Sequence, residues 1–378
     1  MRRSDFLAGS FAVGATGIPG QGVLAQSTIG VNVPLSGPLA TYGADIVKGV
    51  HAAVDETNRF VTGLTRVWGV RSFDDRNTTA VAQSNVFVAA SDPSIVGMIG
   101  NLATDITVQT LPQYANASFA VVVPCTTADD VTSHNFHNVY RLPTKDSDEG
   151  RLFAKYALAK RQDVNAIAVT IDKDFGFDTA RAFVTQAKLD KHSADILTFA
   201  QSGDPANDAG VILEHSPNYV FLSGRVDRLG PVAAQLRGQG FKGDFGLGDG
   251  FYVPPTIDTY GKSLEGAIVC TSFPPLDRIP TAISALNDFR GEVGSITAFA
   301  AFGYAAAQLL ILASQRANAT NRFQLLTQLQ AGGSYGLLVG QFSFNLQGDQ
   351  ILPNLYFFRV AADGFKYAAA SIPTGYVI

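Results

Sequence analysis

Thr104 and Thr127 each stand where a strand-like run gives way to a helical stretch. The start of a helix presents unpaired N–H groups and a partial positive charge, so a hydroxyl there can help to hold a carboxylate. The same hydroxyl can instead cap its own helix, and Thr127 with Asp130 has the spacing of a capping box. Asp249, in Gly248-Asp249-Gly250, follows the strand-like run Asp244 to Leu247. It is either a turn former among glycines or a carboxylate offered to a cationic group, a pairing that strengthens where water is scarce. Phe175, between Asp174 and Gly176, belongs to a loop. Tyr42 and Phe299 suit either a ligand-facing wall or an ordinary core.

Catalytic and cofactor patterns are scarce. His51, His134, His137, His192 and His215 are scattered without zinc-protease spacing, and no metal or cofactor site is expected. There is no Gly-x-Ser-x-Gly turn and no phosphate loop ending in Gly-Lys-Ser/Thr. Gly246-Leu247-Gly248-Asp249-Gly250 stops short of a dinucleotide fingerprint, because position 251 is Phe. These features favour a binding protein over an enzyme. A nucleotide-dependent enzyme remains the remote alternative.

The elements that would position these residues alternate strand and helix, the pattern of an α/β fold with parallel sheets. Strands are expected at 28–34, 67–73, 95–99 and 119–123, with helices at 42–58, 79–90 and 105–115 between them. A second series has strands at 165–171, 194–199, 219–222 and 265–269, with helices at 148–160, 176–190, 205–215 and 227–239. A helix pair over 281–331 interrupts the alternation, and strand-like runs at 336–344, 354–361 and 365–369 close the chain. Two doubly wound modules follow from this pattern, each able to bind a ligand at its sheet's carboxyl edge.

The 378 residues exceed what one core usually holds, and 46% hydrophobic content suffices for two. The formal charge of −4 and the absence of a basic run argue against nucleic acid. Residues 1–25 read as a signal peptide: Arg2 and Arg3, a short apolar middle, then Val23-Leu24-Ala25 before the cut. Arg2-Arg3 with Phe6-Leu7 leaves twin-arginine and general secretory export both open. The expected location is periplasmic. The apolar run at 298–313 is interrupted by Gly303, Tyr304 and Gln308, so it reads as a buried helix and not a membrane span. Cys125 and Cys270, assigned to different modules, are expected to stay separate thiols.

Leu35 to Gly43, Gly49, Phe73-Asp74-Asp75, Gly97 to Leu102, Val123 to Ala128, Arg141 and Asp146 to Gly150 occur in one order from Thr28 onward. Together they resemble the leucine/isoleucine/valine-binding protein family, the type I periplasmic solute-binding proteins of ABC importers. The resemblance implies two parallel-sheet lobes joined by three hinge segments near 143–147, 272–277 and 344–350. Lobe I would take 26–143 plus 277–345, and lobe II 144–276 plus 346–378. It implies a small-molecule ligand, an amino acid of branched-chain type or a related small carboxylate, and a membrane ABC permease as partner. The alternative is a ligand-sensing receptor lobe for amides or for aromatic or dicarboxylic acids.

By position the resemblance also assigns roles. Tyr42 and Phe299 would line the pocket, and Phe175 would close over the ligand. Thr104 and Thr127 would meet its carboxylate, with Cys125 backbone nearby, and Asp249 its ammonium. Arg225 stands where the family often has an aromatic; it either pairs with Asp249 or meets a carboxylate on the ligand. Phe175 also replaces the family's tyrosine and so lacks a hydroxyl.

Overall fold

The protein is described by a computed structural model, which covers residues 25–59, 66–172, 175–275 and 297–371. The expected signal peptide, Asp174 and the stretch 281–296 of the expected helix pair therefore lie outside the described residues, apart from Ala25 at the peptide's end.

The first sheet has five parallel strands in the order β2-β1-β3-β4-β5. They are β1 (Ala25–Val33), β2 (Arg66–Asp74), β3 (Ile95–Gly100), β4 (Ala120–Val123) and β5 (Val139–Arg141). β3 and β4 are buried along their whole length, as strands covered by helices on both faces must be.

The second sheet repeats the plan. β6 (Asn165–Ile171), β7 (Ser193–Phe199), β8 (Tyr219–Leu222), β9 (Asp244–Leu247) and β10 (Ile268–Thr271) stand in the order β7-β6-β8-β9-β10, all parallel. In each sheet the first strand of the series lies between the second and the third. The strand order thus reverses at β1/β3 and again at β6/β8, which are the crevices where doubly wound sheets take their ligands.

The remaining chain returns to both sheets. The helices Ala298–Ala317 and Arg322–Gln330 pack in the first sheet's core, together with the hairpin β11 (Tyr335–Leu337) and β12 (Gly340–Phe342). Then β13 (Leu355–Ala361) and β14 (Gly364–Ser371) add an antiparallel edge to the second sheet. Three passages between the sheets result: after β5, after β10 and between β12 and β13.

Two details differ from the sequence-based expectations. The run 336–344 is a hairpin and not one strand, because Leu338 and Val339 turn the chain and Gly340 follows at φ +128°. The strand expected from Glu265 starts at Ile268, since Gly266 at φ +82° ends the preceding turn.

Helix Ala298–Ala317 is, among the described residues, the one helix long and apolar enough to cross a bilayer. It is largely buried against helix Ala40–Arg59 instead. A Cβ at Gly49 would come within 1.9 Å of the Ala300 carbonyl oxygen, and one at Gly303 within 2.3 Å of the Ile46 carbonyl oxygen. The two glycines let the helix backbones touch. Thr297 caps the second helix at the Ala300 N–H (3.1 Å) while donating to Asp45 (3.0 Å).

The passages are hydrogen-bonded to one another. The Thr144 N–H donates to the Ser272 hydroxyl (2.8 Å), the Thr144 hydroxyl to the Asn354 carbonyl (2.7 Å), and the Arg141 N–H to the Gly348 carbonyl (2.9 Å). The fully buried Arg141 side chain ties the first passage to the third by donating to Asp349 from Nε (2.9 Å) and to the Thr127 carbonyl (2.7 Å).

Candidate functional site

Every residue singled out from the sequence lies at or just beyond the carboxyl end of a strand, or at the start of a helix there. Tyr42 is in the first turn of Ala40–Arg59, after β1. Thr104 opens the helix Thr104–Asn116 after β3, and Cys125 and Thr127 follow β4. Phe299 is in the first turn of Ala298–Ala317. On the second sheet, Phe175 follows β6, Arg225 follows β8 and Asp249 follows β9. Tyr42 and Thr104 therefore flank the β1/β3 crevice, and Phe175 and Arg225 the β6/β8 crevice.

Several of these residues meet directly. The Tyr42 and Phe299 rings lie 4.7 Å apart at 43°, and Tyr42 keeps 42% of its surface exposed. A wall half open to solvent fits this pair better than a closed core does. The loop leading to Tyr42 is fixed because Asp74, ending β2, accepts the Leu35 N–H at 2.8 Å.

On the second sheet, Phe175, Gly224 and Gly250 crowd together. A Cβ at Gly250 would be 2.4 Å from the Gly224 carbonyl oxygen and 2.8 Å from Cε1 of Phe175. Glycine at 250 thus lets the Phe175 ring and the Gly224 backbone pack against the turn that carries Asp249. Arg225 precedes the helix Val226–Gly238 and is exposed; its guanidinium lies 3.7 Å from Asp227. That contact places the cation beside an acid in the first turn of the helix it precedes.

Thr104 is exposed at the first helical position and does not cap, since Ala103 holds the cap position. Thr127 is buried, and the alternative its spacing offered, a capping box with Asp130, does not form. Asp129 occupies the cap position of the one-turn helix Asp130–Ser133, and its side chain accepts the Ser147 N–H at 3.0 Å. The Thr127 loop is held elsewhere: its carbonyl accepts the Asp146 N–H at 2.9 Å and an Arg141 N–H at 2.7 Å, with the Thr127 hydroxyl near the Asp146 carboxyl. Cys125 is half-buried, with burial pushing its thiol well up, and both cysteines are free.

Asp146 and Glu149 are the site residues that sequence reasoning passed over. They stand three apart in the first turn of helix Asp146–Leu158, on one face, and both are buried. Two acids on the buried side of an amphipathic helix were the available signal. One oxygen of Glu149 accepts the Asp249 N–H (3.1 Å) and the Cys270 thiol (3.3 Å). The other Glu149 oxygen and one Asp146 oxygen have no hydrogen-bond partner among the described residues.

The result is a column running Thr127, Asp146, Glu149, Asp249 from the first sheet into the second. Its carboxyls resist ionisation. Burial, then the charge of Asp146, pushes Asp249 up to about 7. Burial pushes Asp146 up to about 6, against the bond from Thr127 and the charge of Arg141. Glu149 is raised by burial and then by the charges of Asp249 and Asp146. Such a column can accept a cation at its Asp249 end. Hydroxyl and helix N–H groups on the facing edge suit a carboxylate.

Comparison with known proteins gives consistent neighbours. A family model described as periplasmic binding protein matches residues 26–365. A Leu/Ile/Val-binding protein homolog 2 of Brucella abortus (strain 2308) is 26% identical over 354 residues, 91% of this chain and 93% of that protein. The crystal structure of a leucine-binding protein from Thermotoga maritima has a TM-score of 0.79 at 21% identity, covering 92% of this chain and 99% of that one. An ABC transporter solute-binding protein from R. palustris in complex with benzoate has a TM-score of 0.75 at 18% identity, covering 93% and 97%.

Proposed function

The chain belongs to the periplasmic binding protein family, and from that premise we propose that it is the solute-binding component of an ABC importer. Its ligand would be an amino acid of branched-chain type, held between two closing lobes. The observation that carries this reading is the column from Thr127 to Asp249. It links the Asp249 turn of the second sheet, through Glu149 and Asp146, to the Thr127 loop of the first, which supports a cleft that meets both ends of an amino acid. Names of relatives that specify leucine, isoleucine and valine support the ligand class.

We place lobe I at 26–143 plus 277–345 and lobe II at 144–276 plus 346–378, with hinges at the three passages. The grouping of β1–β5 and of β6–β10 with β13 and β14 supports these limits. In the empty form the lobes stand apart; a ligand touching both shifts the population toward closure, and a membrane permease then reads the closed face. We also propose export to the periplasm by residues 1–25, which N-terminal sequencing of the secreted protein tests.

A second reading is favoured by one local feature. Phe175 offers no hydroxyl, and Arg225 adds a cation at the crevice rim, so an aromatic carboxylate without an ammonium fits the same cleft. The benzoate-bound relative supports this class.

A thermal-shift panel separates the readings, because a ligand that binds the folded state alone raises the melting temperature. Leucine, isoleucine and valine are expected to raise it. A rise with benzoate alone would favour the second reading, and a flat panel would remove both.

A further inference from the structure

Glu149 has a role that simple ligand contact does not explain. It is fully buried, and one carboxyl oxygen fixes the Asp249 backbone and meets the Cys270 thiol. Among the described residues its second oxygen has no donor, nor does one oxygen of buried Asp146 three residues earlier. A buried carboxylate oxygen without a donor carries charge that nothing compensates, and three carboxyls this close cannot all ionise. Of the charged groups facing the column, Asp129 and Asp178 add negative charge at Asp146, and Cys270 faces Glu149 from β10. Arg141 is the cation facing Asp146, but its guanidinium is already committed to Asp349 and to the Thr127 and Ala128 carbonyls.

We propose that the Asp249–Glu149–Asp146 column keeps a proton while the cleft is empty and releases it to solvent when a cationic group on the ligand settles at Asp249. Glu149 is then a positioning residue that makes the site selective for ligands bringing their own positive charge. The inference rests on the cleft being the ligand site. It adds that binding an ammonium-bearing ligand is linked to proton release, whereas binding an acid without a cation is not.

The fit of raised carboxyl ionisation to this geometry is direct. Asp249 at about 7 and Asp146 at about 6 leave the column partly protonated near neutrality. The protons of such a column belong to the group and not to one residue.

The test is calorimetric titration with L-leucine at pH 6.5 in two buffers of different ionisation enthalpy, which counts the protons exchanged. The wild-type chain is expected to release about one proton per ligand and to bind L-leucine more tightly as pH rises from 5.5 to 8. Glu149→Gln keeps the shape, should release less than half as much, and should lose most of the pH slope. Leucine binding without proton release, or equal release in Glu149→Gln, overturns the proposal while leaving the leucine reading intact. A ligand-free measurement separates the two ideas. In the empty protein the carboxyl carbon of Glu149, followed by NMR, should titrate well above the ordinary glutamate value. Titration at the ordinary glutamate value overturns the proposal whichever ligand binds.

Discussion

The Asp249 backbone N–H donates to the Glu149 carboxyl across 3.1 Å, although the residues are 100 apart in sequence. One comes from the turn after β9 and the other from the first turn of Asp146–Leu158. The contact joins a position legible from a Gly-rich turn to one that only folding reveals. It also makes the acid end of the cleft a property of a group, with consequences for stability as well as binding.

Stability should depend on pH through these acids. In the unfolded chain an Asp ionises near 4, whereas in the fold Asp146 is raised to about 6 and Asp249 to about 7. A raised carboxyl favours the folded state while protonated, so its contribution is full below about pH 4 and is lost as pH rises through 6 to 7. Asp249→Asn removes the penalty. Its melting temperature relative to the wild type is expected to rise between pH 5 and pH 8 in the empty protein. A constant difference across that range would remove Asp249 from the raised group.

Removing the Asp249 charge should cost affinity. Hydrogen bonds to charged groups contribute about 1.5–3 kcal/mol, so Asp249→Asn is expected to weaken L-leucine binding roughly tenfold to a hundredfold. Equilibrium titration of both proteins at pH 7.5 checks this.

How much of this was readable beforehand varies by residue. The alternation of β-branched runs with amphipathic stretches announced both sheets. Helices such as Thr79–Ala90 and Phe177–Leu189 fall within about a residue of where periodicity put them. β5, only three residues long, carried too little pattern to be seen. Asp146 and Glu149 were visible as letters, but their burial depends on Asp249 and Cys270 arriving from distant segments. Thr127 had the spacing of a cap, and the fold spent it on Asp146 instead, because Arg141 and the first passage hold that loop.

Tyr42 separates binding from stability. Its ring contact with Phe299 contributes about 0.5–1.5 kcal/mol, and much of its surface is already exposed. Tyr42→Ala should lower the melting temperature by a few degrees at most while weakening ligand binding several-fold. A large stability loss with unchanged affinity would make the pair ordinary core.

Arg141 behaves oppositely. It is wholly buried and bridges Asp349 to the Thr127 loop. Deleting one partner of a buried pair costs about 3–5 kcal/mol, so Asp349→Ala should lower the urea midpoint strongly. An unchanged midpoint would mean that the bridge between the first and third passages contributes nothing.

Gly49 tests the helix crossing. Any β-carbon there meets the Ala300 carbonyl, and overpacking a tight contact costs about 1–3 kcal/mol. Gly49→Val should therefore reduce the melting temperature without touching the acid column. Wild-type stability would show that the helices can part freely.

The most direct measurement is calorimetric titration of L-leucine into the wild-type chain and into Asp249→Ala and Thr127→Ala. The account predicts saturable one-to-one binding in the wild type. It predicts affinity at least tenfold weaker in each variant, with cooperative unfolding retained. Unchanged affinity in both variants, or no binding of L-leucine to the wild type, would contradict it.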